Sequence, residues 1–190
     1  MIRKIFIDGG AHTGESVDCF RRLFPDHNEY EIHSFEPNPD MWALIEAKGV
    51  ILHKEALWNE DMEREFYKAK FSEGSTLLKK KVSGKVNYRD PINTKCVRLS
   101  KWITDSFEST DYIILKLDIE GAEYTVIPDL IESGAYKYID EWYGELHQGG
   151  PEGRIQSLAS DEKEKMIQTF KEYKIDFKDW HNNQNNLQNY

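Results

Sequence analysis

The residues able to do chemistry fall into two groups. In "KLDIEGAE", residues 116–123, Lys116 and Asp118 stand two apart at the end of an apolar run. The period of two of a β-strand therefore sends a cation and an acid to one face. Glu120 and Glu123 follow, three apart across a helix start, where they are helical neighbours and where carboxylates interact favourably with the helix N-terminus. In "DEWYGELH", Glu145 and His147 are again two apart at a strand end. Acids and an imidazole grouped this way can accept a proton or orient a hydroxyl, and Asp118, Glu145 and His147 are of the types that hold a divalent cation. The second group is "FIDGGAHTGES", residues 6–16, which places an acid and three glycines behind an apolar run. Glycines there allow positive φ or close approach of backbone to a ligand.

Positioning these residues requires a particular frame. Ile2, Ile5, Phe6 and Ile7 read as a buried parallel strand ending at Asp8, and Val17, Cys19, Phe20, Leu23 and Phe24 as a helix stopped by Pro25. Residues 30–36 form a second strand, 39–48 a helix opened by Pro39, and 50–55 a third strand. Residues 64–70 pair with 94–99 around a long polar insert, and 112–117 make a strand whose following helix runs to Gly134. A strand over 138–146, a helix over 160–173 and a last strand over 175–180 complete the chain. The class is α/β, with a mostly parallel, Rossmann-like central sheet and helices on both faces. Ligands of such sheets bind beyond the carboxyl ends of the strands, where both chemical groups fall.

The glycine loop narrows the ligand. Gly9-x-Ala11-x-x-Gly14 is a degenerate dinucleotide fingerprint, and Glu36, ending the second strand, is at the distance that suits a ribose. That pattern suggests NAD and an oxidoreductase. Asp8 argues against it, because a carboxylate beside a pyrophosphate site repels the ligand. S-adenosylmethionine retains the ribose for Glu36 and replaces pyrophosphate with a sulfonium and an ammonium, which favour a nearby acid. The lysine of a P-loop is missing.

With 190 residues the chain has the length of one well-cored domain, expected over 1–180, with residues 71–94 as an insert and a polar tail at 181–190. A formal charge of −9 disfavours nucleic acid and anionic membrane as partners. Lys79, Lys80, Lys81 and Lys85 are the local exception: they read either as a solvated loop or as part of a lid suited to an acceptor bearing phosphate or carboxylate. Cys19 and Cys96 lack metal-ligand spacing, and with no signal peptide or apolar span evident, a cytoplasmic location with both thiols reduced is expected.

The blocks "FIDGGAHTGES", "HSFEPNPDMWALI" and "LKLDIEGAEYTVIPDLIESG", in that order and joined by "DEWYGELH", resemble the FkbM-type methyltransferases. The resemblance implies a class I methyltransferase fold and transfer from S-adenosylmethionine to a hydroxyl of a sugar or other small molecule. It implies that Asp8, Gly10, His12 and Gly14 surround the methionine part of the cofactor, that Glu36 takes the ribose, and that Ala56 and Leu57 border adenine. His12 reads alternatively as a cap of the following helix, and Trp58 either packs on adenine or belongs to the core. Within that reaction Asp118 or His147 takes the acceptor's proton, with Glu120 and Lys116 orienting the acceptor, or a divalent cation on Asp118, Glu145 and His147 acidifies the hydroxyl. A noncatalytic adenosine-binding or interaction domain is the remaining alternative.

Overall fold

A computed structural model describes residues 2–70 and 72–180, so the polar tail lies outside the described residues. In chain order the strands are β1 (Lys4–Gly9), β2 (Tyr30–Phe35), β3 (Ile51–His53), β4 (Ala56–Trp58), β5 (Met62–Phe66), β6 (Ile92–Arg98), β7 (Tyr112–Leu117), β8 (Glu141–Gly144) and β9 (Phe177–Asp179). The α-helices are α1 (Glu15–Leu23), α2 (Trp42–Glu46), α3 (Leu99–Ser106), α4 (Glu123–Glu132) and α5 (Glu162–Tyr173). Six strands build the central sheet in the order β3-β2-β1-β7-β8-β9, all parallel. This is the Rossmann-like arrangement, with the order reversing at β1 and β7.

The alternation of β1 fixes which helix covers which face. Ile5 and Ile7 join the cluster made with Leu99 and Ile103 of α3, Val126 and Leu130 of α4, and Met166 and Phe170 of α5. Phe6 points the other way, into a cluster with Val17, Cys19 and Phe20 of α1, its ring stacked on Phe20 at 4.1 Å between centroids. Burying both faces explains why β1 and β7 are apolar throughout apart from Lys4, Asp8 and Lys116.

Several boundaries differ from the sequence reading. The helix expected over 39–48 splits into a 3-10 turn, Pro39–Met41, and the short α2, because Asn38 caps the turn by accepting from the Asp40 amide. The third strand shortens to Ile51–His53. Leu99, expected to end the strand over 94–99, instead opens α3, which buries Leu99 and Ile103. The strand expected over 138–146 is only Glu141–Gly144, preceded by a 3-10 turn, Ala135–Tyr138. Glu145 and His147 therefore lie past the strand, and strand alternation is not what brings them together.

A second, three-stranded sheet runs β4-β6-β5, with β5 and β6 antiparallel and Arg64 opposite Thr94; the two flanking segments do pair, but over 62–66 and 92–96 rather than 64–70 and 94–99. The insert enclosed by this pair is folded: a 3-10 turn at Ser72–Gly74 and isolated bridges from Thr76 to Tyr67 and from Val86 to Ala69 order it. Among the described residues no helix is long and apolar enough to cross a membrane.

Candidate active site

The register of the central sheet sets the base of the site. Asp8 of β1 stands directly beside Lys116 of β7, and both are buried. The Lys116 ammonium lies 3.1 Å from Asp8 Oδ1 and donates to the carbonyls of Gly10 at 2.9 Å and Gly9 at 3.2 Å. Ser16 Oγ donates to the other Asp8 oxygen. Burial works against the Lys116 charge, but Asp8, Asp118 and Glu36 outweigh it and hold the pKa above the usual lysine value. The expectation that Asp8 is tolerated because a cationic ligand faces it is corrected here, since its counter-ion is Lys116. Lys116 in turn spends its ammonium beneath the glycine loop.

The loop above them is shaped by close backbone approach. Gly10 has φ +77°, and a Cβ there would sit 2.0 Å from the Asp118 carbonyl oxygen, so only glycine fits. The amides of Gly10 and Ala11 both donate to the Phe35 carbonyl at 3.1 Å. Glu36 then clamps the next turn: its Oε2 accepts from the His12 amide at 2.9 Å and its Oε1 from the Asn38 amide at 2.7 Å. Burial pushes the Glu36 carboxyl up to about 7, against the pull of those two amides. Burial likewise lowers the pKa of His12.

Two spaces open on this loop. One is an apolar lobe with Glu36 at its edge, walled by Phe35, Pro37, Ala56, Leu57, Phe66 and Leu77, with about 60 Å³ of free space. The other is a polar cleft of about 520 Å³ whose charged walls are Glu15, Glu73, Asp118, Glu120 and Glu145 against Lys116 and Arg154. Gly10, His12, Glu73, Asp118 and Glu120 border both.

Four carboxylates converge on His147, which is 1% exposed. Its Nε2 lies 3.1 Å from Glu120 Oε2, 3.8 Å from Glu145 Oε2 and 3.9 Å from Asp118 Oδ1, while Nδ1 lies 3.5 Å from Glu123 Oε1. Burial opposes the imidazolium, but Glu123 and Glu120 overcome it and push the pKa up to about 11. The surrounding acids thus favour the imidazolium, a form with no lone pair for an incoming proton, which weighs toward Asp118 among the two proton acceptors the sequence offered. Glu123 behaves as a helix-terminus acid: its oxygens accept from the Ile119 amide at 2.6 Å and the Gly121 amide at 2.7 Å. Asp118, Glu123 and His147 offer ligand atoms within 4.8 Å of one another. That set replaces the expected Asp118, Glu145 and His147. Both Glu123 oxygens already accept backbone amides, so within this set the carboxylate of Glu123 is partly committed to the turn before α4.

Residues 8–176 match the Methyltransferase FkbM domain. The chain belongs to the FkbM methyltransferase family. A solved structure, methyltransferase FkbM from Methylobacillus flagellatus KT, is similar at 14% identity and a TM-score of 0.42. The likeness covers 70% of this chain, and the chain spans 30% of that structure. The comparison with curated proteins found no match.

Within this FkbM domain Gly10, His12, Glu36, Ala56, Leu57, Lys116, Asp118, Glu120 and Glu145 line one or both spaces, while Asp8 and His147 lie behind the walls and line neither. Gly14 lines neither space; it has φ +80° and turns the chain into α1, its amide donating to the Ala11 carbonyl. His12 makes no side-chain cap on α1 and instead borders both spaces. Trp58 is core, packed with Phe66 and Cys96 under the Arg64 guanidinium at 4.1 Å from the ring centre. Sequence reasoning gave no role to Ser16, Glu73 or Arg154. The serine and arginine had no periodic signal, while Glu73 lay in a segment that reads as loop.

Proposed function

We propose that this domain transfers a methyl group from S-adenosylmethionine to a hydroxyl of a sugar or another small polyhydroxylated molecule. The observation that carries the reading is the shared border: an apolar lobe edged by a buried carboxylate meets a polar cleft at Gly10, His12, Asp118 and Glu120. The residues present fit an adenosine-bearing donor. Ala56 and Leu57 offer the lobe an apolar wall for adenine. Each Glu36 oxygen accepts one amide, which leaves a carboxylate further acceptor capacity for ribose hydroxyls.

When bound, S-adenosylmethionine supplies a methyl group already attached to a good leaving group, so orientation and dehydration carry most of the catalysis. Lys116 holds the carbonyls of Gly9 and Gly10 and so fixes the loop that separates lobe from cleft. Asp118 Oδ accepts the proton of the acceptor hydroxyl, a role His147 cannot fill while charged. His147 instead neutralises Glu120 and keeps that carboxyl below its usual range, against burial and together with Lys81. Glu120 and Glu145 accept hydrogen bonds from the acceptor's remaining hydroxyls. An acid-rich wall favours a neutral or cationic acceptor over the phosphate or carboxylate that the lysine run suggested.

The test is a screen of labelled methyl transfer across glycans and small hydroxylated acceptors. Transfer to at least one hydroxyl, unchanged by EDTA, is the expected result. If NADH binds and the methyl donor gives no heat, the chain is an oxidoreductase instead; donor binding without transfer to any acceptor leaves a noncatalytic adenosine-binding domain.

A further inference from the structure

The run Lys79-Lys80-Lys81 ends in a residue that does not behave as surface charge. Lys81 is 4% exposed, although it belongs to the insert between β5 and β6. Its ammonium donates to the Gly74 carbonyl at 2.8 Å and lies 3.0 Å from Glu120 Oε2, the oxygen that also meets His147 at 3.1 Å. Lys79 differs: it is exposed and sits 3.6 Å from Glu65.

The insert reaches the same turn twice more. Thr76, 1% exposed, donates from Oγ1 to the Glu120 carbonyl at 2.8 Å. Leu78 packs against Gly121, where a Cβ would lie 2.8 Å from its Cδ1 and 2.3 Å from Ile155 Cδ1. Ile155 belongs to the segment after His147, and the two segments are zipped: the Gln156 amide donates to the Lys80 carbonyl and the Val82 amide to the Arg154 carbonyl, both at 2.9 Å. Insert and segment thus form one flap over the turn from Asp118 to Gly121. Glu120, at the centre, has φ +55°, a conformation that a non-glycine residue holds only when its surroundings enforce it.

The flap also restricts entry. Glu73, Ser75, Thr76 and Leu77 wall the apolar lobe, whose free space of about 60 Å³ is far below the ~300–1,000 Å³ of a ligand cleft. A ligand of nucleoside size therefore needs the lobe to widen, and the flap supplies the part of its wall that is tied down by Lys81. Moving it separates Lys81 from Glu120, and closing it returns a buried ammonium to the acid cluster.

We infer that Lys81 is a positioning residue: its ammonium latches the flap to Glu120 and so assembles the cleft wall when the flap closes. This rests on the methyl-transfer reading for its effect on turnover, but not for the latch itself. Without the ammonium, Glu120 keeps His147 but loses the contact that ties its strained turn to the flap. Both flap and turn are then free to move between turnovers.

The experiment compares Lys81→Met and Lys81→Arg with the unsubstituted chain. Active-site concentration is set by calorimetric titration with S-adenosylhomocysteine, and chymotrypsin probes Leu77, Leu78 and Tyr88 of the flap. Lys81→Met is expected to cleave at least fivefold faster in the flap and to lose at least tenfold in kcat per titrated site, with acceptor KM changed less than threefold. Lys81→Arg is expected to recover most of both. Flap cleavage and kcat equal to those of the unsubstituted chain in Lys81→Met overturn the inference. So does a kcat loss that Lys81→Arg does not relieve. Should the unsubstituted chain neither bind the product nor turn over, the methyl-transfer reading fails while the cleavage comparison still decides the latch. Should Lys81→Met fail to fold, Glu120→Gln carries the cleavage measurement with the same expected increase, and an unchanged rate there counts against the latch.

Discussion

His147, just past β8, and the pair His33 and His53, on β2 and β3, are all drawn partly or wholly out of water, yet their neighbours favour different charge states. Around His147 four carboxylates lie within 3.9 Å of a ring nitrogen, and the imidazolium survives burial. At the other end, His33 Nδ1 meets His53 Nε2 at 2.9 Å and His33 Nε2 meets Glu31 at 2.7 Å. His53 stacks on Phe35 at 4.2 Å between ring centres and meets the Trp102 ring edge-on. There burial dominates: it lowers both pKa values, and carries His53 down to about 4 with His33 assisting. Burial alone therefore does not decide a histidine's charge. The partner set does, and the acid-rich partner set stands where the chemistry is proposed.

The sharpest way to break this contrast is at Asp118, the carboxylate left to take a proton once His147 is charged. Asp118→Asn is expected to lower kcat by about 10²- to 10⁴-fold while calorimetry finds the affinity for S-adenosylhomocysteine within threefold of the original. A loss confined to KM would mean that Asp118 only binds the acceptor. His147→Ala removes the charge that balances the cluster and is expected to lower the unfolding free energy by about 3–5 kcal/mol in denaturant titrations. A change below about 1 kcal/mol would show that the imidazole was not charged in the fold.

The two histidine sites also predict opposite pH responses of stability. The raised His147 pKa means its contribution is present in full below its unfolded value near 6.5 and is lost as pH rises through about 11. Between those limits the loss is at most about 1.4 kcal/mol per pH unit from this group, and His147→Gln should flatten the slope. The depressed His53 pKa gives the reverse: its contribution is present above about 6.5 and is lost as pH falls toward about 4. His53→Phe should abolish that acid-side loss with little change at pH 7. Thermal melts from pH 4 to 10 on the three proteins separate the slopes. Smaller still is the effect at Glu36, whose carboxyl titrates at about 7. Hydrogen bonds from ribose favour the ionised form, so donor-product affinity should rise severalfold from pH 6 to pH 8, with proton release seen as buffer-dependent heat.

How far the sequence carried differs between these regions for physical reasons. The apolar runs of β1 and β7 and the glycine loop between β1 and α1 were legible because burial on both faces and positive φ leave compositional traces. The pairing of Asp8 with Lys116 was not, since it depends on the register of strands more than 100 residues apart in the chain. Helix α3 carried a signal in the spacing of Leu99, Trp102 and Ile103, but Arg98 provides no side-chain cap to mark its start. Lys81 sits in a charged run that reads as solvated, and only the folded insert shows its ammonium inside. For His147 the sequence supplied the residue and its acidic company but not its charge, which depends on distances.

That charge can be observed directly. Ring nitrogen-15 and carbon-13 NMR of the histidines, titrated from pH 5 to pH 10, should show His147 with both nitrogens protonated through pH 9 while His53 stays neutral down to about pH 5. A neutral His147 tautomer at pH 7 would contradict the account and return the proton-accepting role to the imidazole.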